Sequence, residues 1–335
     1  MANSNSNSTN SDQSEHIIHD FPGYIRVFSN GFVERLRGTE FVPPFIDQAR
    51  GVSSKDIIID PQHNVPARLF LPNLTTHTHK LPLLLYFHGG AFCVSSNSAA
   101  IYHNYMTDLV AKSKVLAVSV NYRLAPEHPI PAAYEDSWAA LQWVASHKNN
   151  TGPEAWLNEH ADFERVFLGG ESSGANIVHN IAMVAGHPDL ELGIEILGAC
   201  LVHPYFWGSE PIGSEALTPD QNRKAMLDKL WPFVCPSMPD NDDPRVNPVA
   251  EGAPSLARLC CKRMLVCVAE KDVLRDRGWL YYNALGRSGW PGVVQIEETL
   301  GEGHAFHLYN LGCNKAQDFI KRLAEFYNRD MPPEV

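Results

Sequence analysis

The sequence predicts an α/β fold: a mostly parallel central sheet with helices on both of its faces. Three observations predict it. Short, nearly continuous apolar runs recur at 81–87, 115–120, 166–168, 196–202 and 264–268, the pattern of strands covered on both sides. Helical segments at 99–114, 132–147, 174–186 and 276–288 alternate with those runs. The chain has 335 residues, 44% hydrophobic and 19% charged, which suits a large core and excludes a disordered or fibrous protein.

Taken in order, residues 1–20 read as a flexible polar tail, rich in Asn and Ser. It has neither the basic n-region nor the apolar h-region of a signal peptide. Residues 21–335 read as a single domain, ordered from about Tyr24. Runs at 24–28, 32–34, 56–60 and 67–71 are separated by turn residues such as Ser29-Asn30-Gly31, and predict hairpin-connected antiparallel strands. The alternating strands and helices follow. A further strand at 293–297 and an amphipathic helix at 315–328, with Phe319, Leu323 and Phe326 on one side, complete the pattern. Only residues 207–259 break the rhythm, with many prolines, two tryptophans and one helical piece near 222–231. That is too long for an ordinary loop, so it reads as an insertion over one end of the sheet. It is either a cap or an extra packing helix.

Composition excludes several functions. A formal charge of −11 gives no long-range attraction for phosphate backbones or anionic lipid, so neither nucleic acid nor membrane is expected as a partner. No apolar run approaches the ~18 residues that span a bilayer. The seven cysteines are odd in number and contain no C-x-x-C, which predicts reduced thiols in a cytoplasmic protein. Phosphate loops and dinucleotide fingerprints are absent, so no cofactor is expected. No metal is expected either: His77 and His79 form an H-x-H in a polar loop without a nearby carboxylate or cysteine pair, and read as solvated.

The strongest chemical signal is Gly170-Glu171-Ser172-Ser173-Gly174, a G-x-S-x-G between a strand and a helix. There the serine occupies a strained turn that exposes its hydroxyl above the sheet, and the helix N-terminus behind it favours developing negative charge. The second signal is His88-Gly89-Gly90-Ala91-Phe92, directly after the run at 81–87. A glycine turn offers backbone N–H donors to an oxyanion without desolvating a charge. Gly89 and Gly90 are expected to donate from that turn, and Ser173 from the elbow. A serine also needs a base and an orienting carboxylate, here in the chain order Ser, acid, His. Asp272, just beyond the run at 264–268, is the expected acid, with Glu270, Asp276 and the group Asp240–Asp243 as competitors. His304, on a glycine-rich loop after the strand at 293–297, is the expected base, with His307 as its rival.

These residues resemble a known family. HGGAF, NYRLAPEHPIPAAYED (121–136), GESSGAN (170–176), EKDVLRDRG and GEGHAF appear in the order found in plant carboxylesterases of the hormone-sensitive-lipase-like branch. The resemblance runs from about Tyr24 to the C-terminus and is nearest to the 2-hydroxyisoflavanone dehydratase-like subgroup. It implies an α/β-hydrolase fold, a Ser172–Asp272–His304 triad and an oxyanion hole with Gly89 and Gly90. It also implies a cap, formed by the N-terminal segment and the insertion, over an apolar acyl pocket. Tyr122, Arg123 and Pro126 match a motif that organises the site from beneath. The related gibberellin receptors have lost the triad histidine, and alkaloid cyclases of the family also depart there; His304 disfavours both readings. The legume dehydratases carry Thr at the nucleophile position, so Ser172 favours hydrolysis. The expectation is therefore a carboxylesterase for small, fairly apolar esters. Its alternatives are elimination of water from a flavonoid-like substrate in the same cavity and a non-catalytic hormone receptor.

Overall fold

A computed structural model describes residues 16–74, 80–217 and 220–329. The chain opens with a small antiparallel sheet of β1 (Ile17–Phe21), β2 (Ile25–Phe28) and β3 (Val33–Arg35). Ordered structure thus begins before Tyr24, and the polar tail cannot extend to residue 20. The cause is pairing: β1 hydrogen-bonds to β2 in the register Phe21 to Ile25, and Phe21 and Ile25 are buried. His77 and His79 lie outside the described residues.

The main sheet is built from β4 (Ile46–Asp47), β5 (Val52–Asp60), β6 (Val65–Pro72), β7 (Leu81–Phe87), β8 (Leu116–Val120), β9 (Ala161–Glu171), β10 (Ile196–Val202), β11 (Arg263–Ala269) and β12 (Val293–Thr299). Its order is β12-β11-β10-β9-β7-β8-β6-β5-β4. The pairs from β8 to β12 are parallel, whereas β6 joins β8 antiparallel and β5 and β4 continue so. Tight turns can link only the antiparallel end; each parallel pair needs a crossover.

The crossovers are α1 (Ala100–Ser113), α2 (Ala132–Ala145), the short α3 (Ala155–His160), α4 (Ser173–Ala185), α5 (Gln221–Val234) and α6 (Arg275–Arg287), followed by α7 (Phe306–Tyr309) and α8 (Asn314–Asn328). Because strand side chains alternate, Leu83, Leu85 and Phe87 of β7 join one core with residues of α2, α4 and α6. Leu84 and Tyr86 join the other, with α1 and α8. This double burial is why the strands read as unbroken apolar runs. Phe319, Leu323 and Phe326 of α8 are buried, as their spacing predicts.

The segment 207–259 carries α5, and its apolar residues belong to the core on the α4 side. Trp231 is fully buried. Its ring stands edge-on to Phe92 at 6.3 Å and lies under the Arg245 guanidinium at 5.6 Å. Trp231→Ala is expected to cost about 3–5 kcal/mol, the usual price of an aromatic core deletion. Thermal melting of the two proteins checks it: a midpoint within about 1 °C of wild type would mean that α5 is not anchored through this ring.

Candidate active site

Ser172 lies between the end of β9 and the start of α4, with φ 55° and ψ −118°. A non-glycine residue at that φ is strained by about 1–3 kcal/mol, so its neighbours must hold it there. The Ser172 N–H donates to Val202 O at 2.9 Å, and its carbonyl accepts from Tyr205 N at 3.0 Å and Asn176 N at 3.1 Å. The two motif glycines make the turn sterically possible. A Cβ on Gly170 would strike the Gly174 backbone, and one on Gly174 would strike the Phe87 and His88 carbonyls.

The structure brings Ser172, Asp272 and His304 together across 132 and 32 residues of sequence. His304 Nδ1 is 2.6 Å from Asp272 Oδ2, and His304 Nε2 is 3.0 Å from Ser172 Oγ. With Nδ1 facing a carboxylate, the neutral ring keeps its proton there, leaving Nε2 to accept from the serine hydroxyl. The competing groups are engaged elsewhere. Glu270 accepts the Gly301 N–H at 2.6 Å, Asp276 pairs with Arg275 at 3.0 Å, and Asp243 pairs with Arg245. His307 is fully buried, neither of its ring nitrogens has a hydrogen-bond partner among the described residues, and it packs against Tyr105, His203, Phe306 and Phe319.

Electrostatics separate the two histidines. Burial acts to lower the His304 pKa, but Asp272, with Glu171 adding to it, outweighs burial and raises it above 6.5. Burial drives His307 well below 6.5, and the fields of His203 and His304 push it the same way. For Asp272, burial works toward a higher pKa, but the charge and hydrogen bond of His304 hold the carboxyl below 3.8.

One expected oxyanion donor is displaced. The Gly89 N–H donates to Tyr102 Oη at 2.9 Å, so it is not free for an oxyanion. Gly90 and Ala91 line the cavity instead; Gly89 does not. Their N–H groups donate to no protein acceptor among the described residues. The turn that aims them has φ 113° at Gly90 and 56° at Ala91. Ser173, the first residue of α4, has the N–H of a helix start, which donates to no backbone acceptor among the described residues. From beneath, the Tyr122 ring stacks on His88 at 4.4 Å and its hydroxyl donates to His88 O at 2.7 Å. Arg123 forks onto Asp136, with its closest contact 2.7 Å.

Two residues of the site escaped the sequence reading. Glu171, 2% exposed, places Oε1 3.4 Å from His304 Nε2. His203 lies with its ring 5.7 Å from that of His304. Only the identity of the second motif position could have pointed to Glu171, and nothing local marks His203. Donor atoms of Glu171, His203 and His304 come within 4.8 Å of one another. His203 Nδ1, however, accepts the Ala305 N–H at 3.0 Å, so the neutral ring carries its proton on the other nitrogen, which is not the form of a metal ligand.

The site opens into a cavity of about 600 Å³. Ile101, Met226, Leu227, Leu230 and Leu308 give it apolar walls, and Arg37 and Arg223 are its cationic members. Pro22 and Tyr24 contribute from the N-terminal sheet, and α5 contributes from the insertion.

Residues 84–308 match a protein family described by its alpha/beta hydrolase fold. The chain is 47% identical to "Probable carboxylesterase 2" of Arabidopsis thaliana, over 91% of this chain and 95% of that protein. It is also 47% identical to a 2-hydroxyisoflavanone dehydratase of Glycine max, over 93% of this chain and 99% of that one. Among solved structures it is similar to a hyperthermophilic esterase from the archaeon Pyrobaculum calidifontis, with a TM-score of 0.67 and 26% identity, covering 82% of this chain and 84% of that one.

The turn geometry yields a test. A Cβ on Gly90 would meet the Val94 carbonyl at a φ that L residues avoid. Gly90→Ala is therefore expected to misdirect the Gly90 and Ala91 N–H groups and to lower kcat for p-nitrophenyl butyrate by about 10² or more, the effect of losing an oxyanion donor. A kcat within twofold of wild type would remove these groups from the site.

Proposed function

The chain belongs to the alpha/beta hydrolase fold family, and from that premise we infer that it is a serine carboxylesterase acting on small, fairly apolar carboxylic esters. The observation that carries this reading is the unbroken chain from Asp272 Oδ2 through His304 to Ser172 Oγ, with steps of 2.6 and 3.0 Å. In the proposed mechanism Ser172 Oγ attacks the ester carbonyl while His304 Nε2 takes its proton. Asp272 holds the ring in the required tautomer and favours the imidazolium. The N–H groups of Gly90, Ala91 and Ser173 receive the oxyanion. The imidazolium returns its proton to the departing alcohol, leaving an acyl-enzyme on Ser172. Water, activated by the same histidine, then releases the acid.

The apolar side chains of the cavity wall support the preference for apolar esters. In this reading the N-terminal segment and the 207–259 insertion act as the cap, since both contribute to that wall. A second reading, elimination of water from a flavonoid-like substrate, draws on the similarity to the soybean dehydratase and uses the same base and oxyanion donors. Among the described residues no helix is long and apolar enough to cross a membrane. Seven free cysteines support a reducing compartment, for which we propose the cytoplasm.

Ser172→Ala is expected to lower kcat for p-nitrophenyl butyrate by about 10⁴–10⁶ with an unchanged melting curve. Isoflavone formation from a 2-hydroxyisoflavanone, followed by chromatography on both proteins, tests the second reading in parallel. Unchanged ester turnover in Ser172→Ala would overturn the nucleophile assignment.

The pH profile tests the base. Only neutral His304 accepts a proton, so kcat/KM rises with pH through its pKa, and the rise is expected above 6.5 because Asp272 and Glu171 stabilise the charged ring. His304→Ala is expected to abolish hydrolysis, whereas His307→Ala retains a catalytic rate. The reverse ranking would move the base to His307.

A further inference from the structure

Glu171 is a buried charged group that takes part in no step of the mechanism above. Its side chain is 3% exposed, and Oε1 makes no hydrogen bond among the described residues. A buried carboxylate oxygen without a donor is costly, and such a group persists where another interaction offsets the cost. Its other oxygen, Oε2, accepts from Tyr102 Oη at 2.6 Å, and Tyr102 Oη in turn accepts the Gly89 N–H at 2.9 Å. The carboxylate is thus clamped on one side and left open on the other. The open side points at His304 Nε2, 3.4 Å away.

Given the esterase reading on which the inference rests, we propose that Glu171 is a second carboxylate for the His304 imidazole, a positioning residue that favours the imidazolium formed during the reaction, with Tyr102 tying it to the oxyanion turn. In the resting enzyme Nε2 has no proton and offers Oε1 nothing to accept. As Ser172 Oγ forms its bond to the carbonyl carbon, its proton passes to Nε2 and the C=O electron pair moves onto oxygen. The new N–H bears positive charge 3.4 Å from Oε1, so the interaction is stronger in the transition state than in the ground state. Glu171 gains and loses no atom. The Tyr102 link has a structural consequence too: a shift of Glu171 would pull on Gly89, which directly precedes Gly90 and Ala91. A Cβ on Gly89 would collide with the Glu171 carboxylate, which shows how closely the turn and this side chain are packed.

Other groups face the same ring. Asp272 holds Nδ1, the His203 ring lies 5.7 Å from that of His304, His307 feels the same ring, and Arg223 of α5 opposes its protonation. Arg37, from the N-terminal segment, acts on Glu171 itself. Burial raises the Glu171 pKa above 4.5, while the charge of His304 and the Tyr102 hydrogen bond act in the opposite direction. The ionised form is therefore favoured as the imidazolium appears.

The test is the pH dependence of kcat and kcat/KM for p-nitrophenyl butyrate in wild type, Glu171→Gln and Glu171→Asp. Removing the charge is expected to move the acid limb of kcat/KM to lower pH, since His304 loses one of the two carboxylates that raise its pKa. It is also expected to lower kcat on the order of tenfold to a hundredfold, less than the loss of a triad member, with little change in KM. Glu171→Asp keeps the charge and is expected to return the limb toward wild type, which a purely structural role would not produce. A Glu171→Gln profile superimposable on wild type would overturn the proposal, as would Gln and Asp variants with the same limb. Absence of ester turnover in the wild type would instead overturn the esterase reading.

Discussion

Everything in the site hangs on one strained residue. Ser172 is held at φ 55° by three backbone hydrogen bonds and two close backbone approaches that only glycine allows. The three bonds come from different places: Val202 at the end of β10, Tyr205 just beyond it and Asn176 in the first turns of α4. The parallel register of β9 with β10 is therefore what fixes the nucleophile, because Val202 pairs with Glu171 at the strand ends. Strain of this size persists only where the surroundings over-determine the conformation. It leaves the hydroxyl at the carboxyl end of the sheet, where α/β folds assemble their sites.

Around that point the protein concentrates charge it would otherwise have to hydrate. Asp272 and Glu171 are almost fully buried, and His304 stands between them with 14% of its side chain exposed. Buried charges cost free energy unless they are paired, and in low dielectric a pair interacts more strongly than in water. The two carboxylates are supported differently. Asp272 has the His304 ring and the Leu274 N–H at 3.1 Å, whereas Glu171 has Tyr102 and one open oxygen. The asymmetry matches a ring whose Nδ1 is protonated at rest and whose Nε2 is protonated only in passing.

Distant pieces of chain finish the cavity. The Arg37 guanidinium lies 4.4 Å over the Tyr24 ring and donates to Tyr309 Oη at 3.1 Å, tying the N-terminal segment to α7 near the other end of the sequence. On the insertion side, α5 turns Leu227 and Leu230 both toward the core and onto the cavity wall. The same two residues thus pack the helix and line the cavity. Trp231 is fully buried while Leu227, one turn before it, and the adjacent Leu230 line the cavity.

The sequence by itself determined the sheet, its two covered faces, and the three residues that meet at the site. Those features follow from local pattern: apolar runs bounded by turns, glycines that only a tight turn requires, and chain order along parallel strands. The glycine-rich loop made His304 the expected base over His307, and the fold sets the His304 ring beside Ser172. Tertiary structure alone decided which backbone N–H groups are free. Gly89 and Gly90 are equivalent in sequence, but Tyr102, 13 residues on, faces Gly89 and takes its N–H. Contacts between distant elements likewise decided that β1 is ordered, through Phe21 packed at 4.6 Å against Phe233 of α5. Glu171 is the clearest case. A carboxylate before the serine looks like any exposed turn residue until Tyr102 of α1 and His304 of the loop after β12 close over it. Local pattern records which way a side chain points along its own strand or helix, whereas a hydrogen-bond partner or a buried charge is set by chain that folding brings from elsewhere.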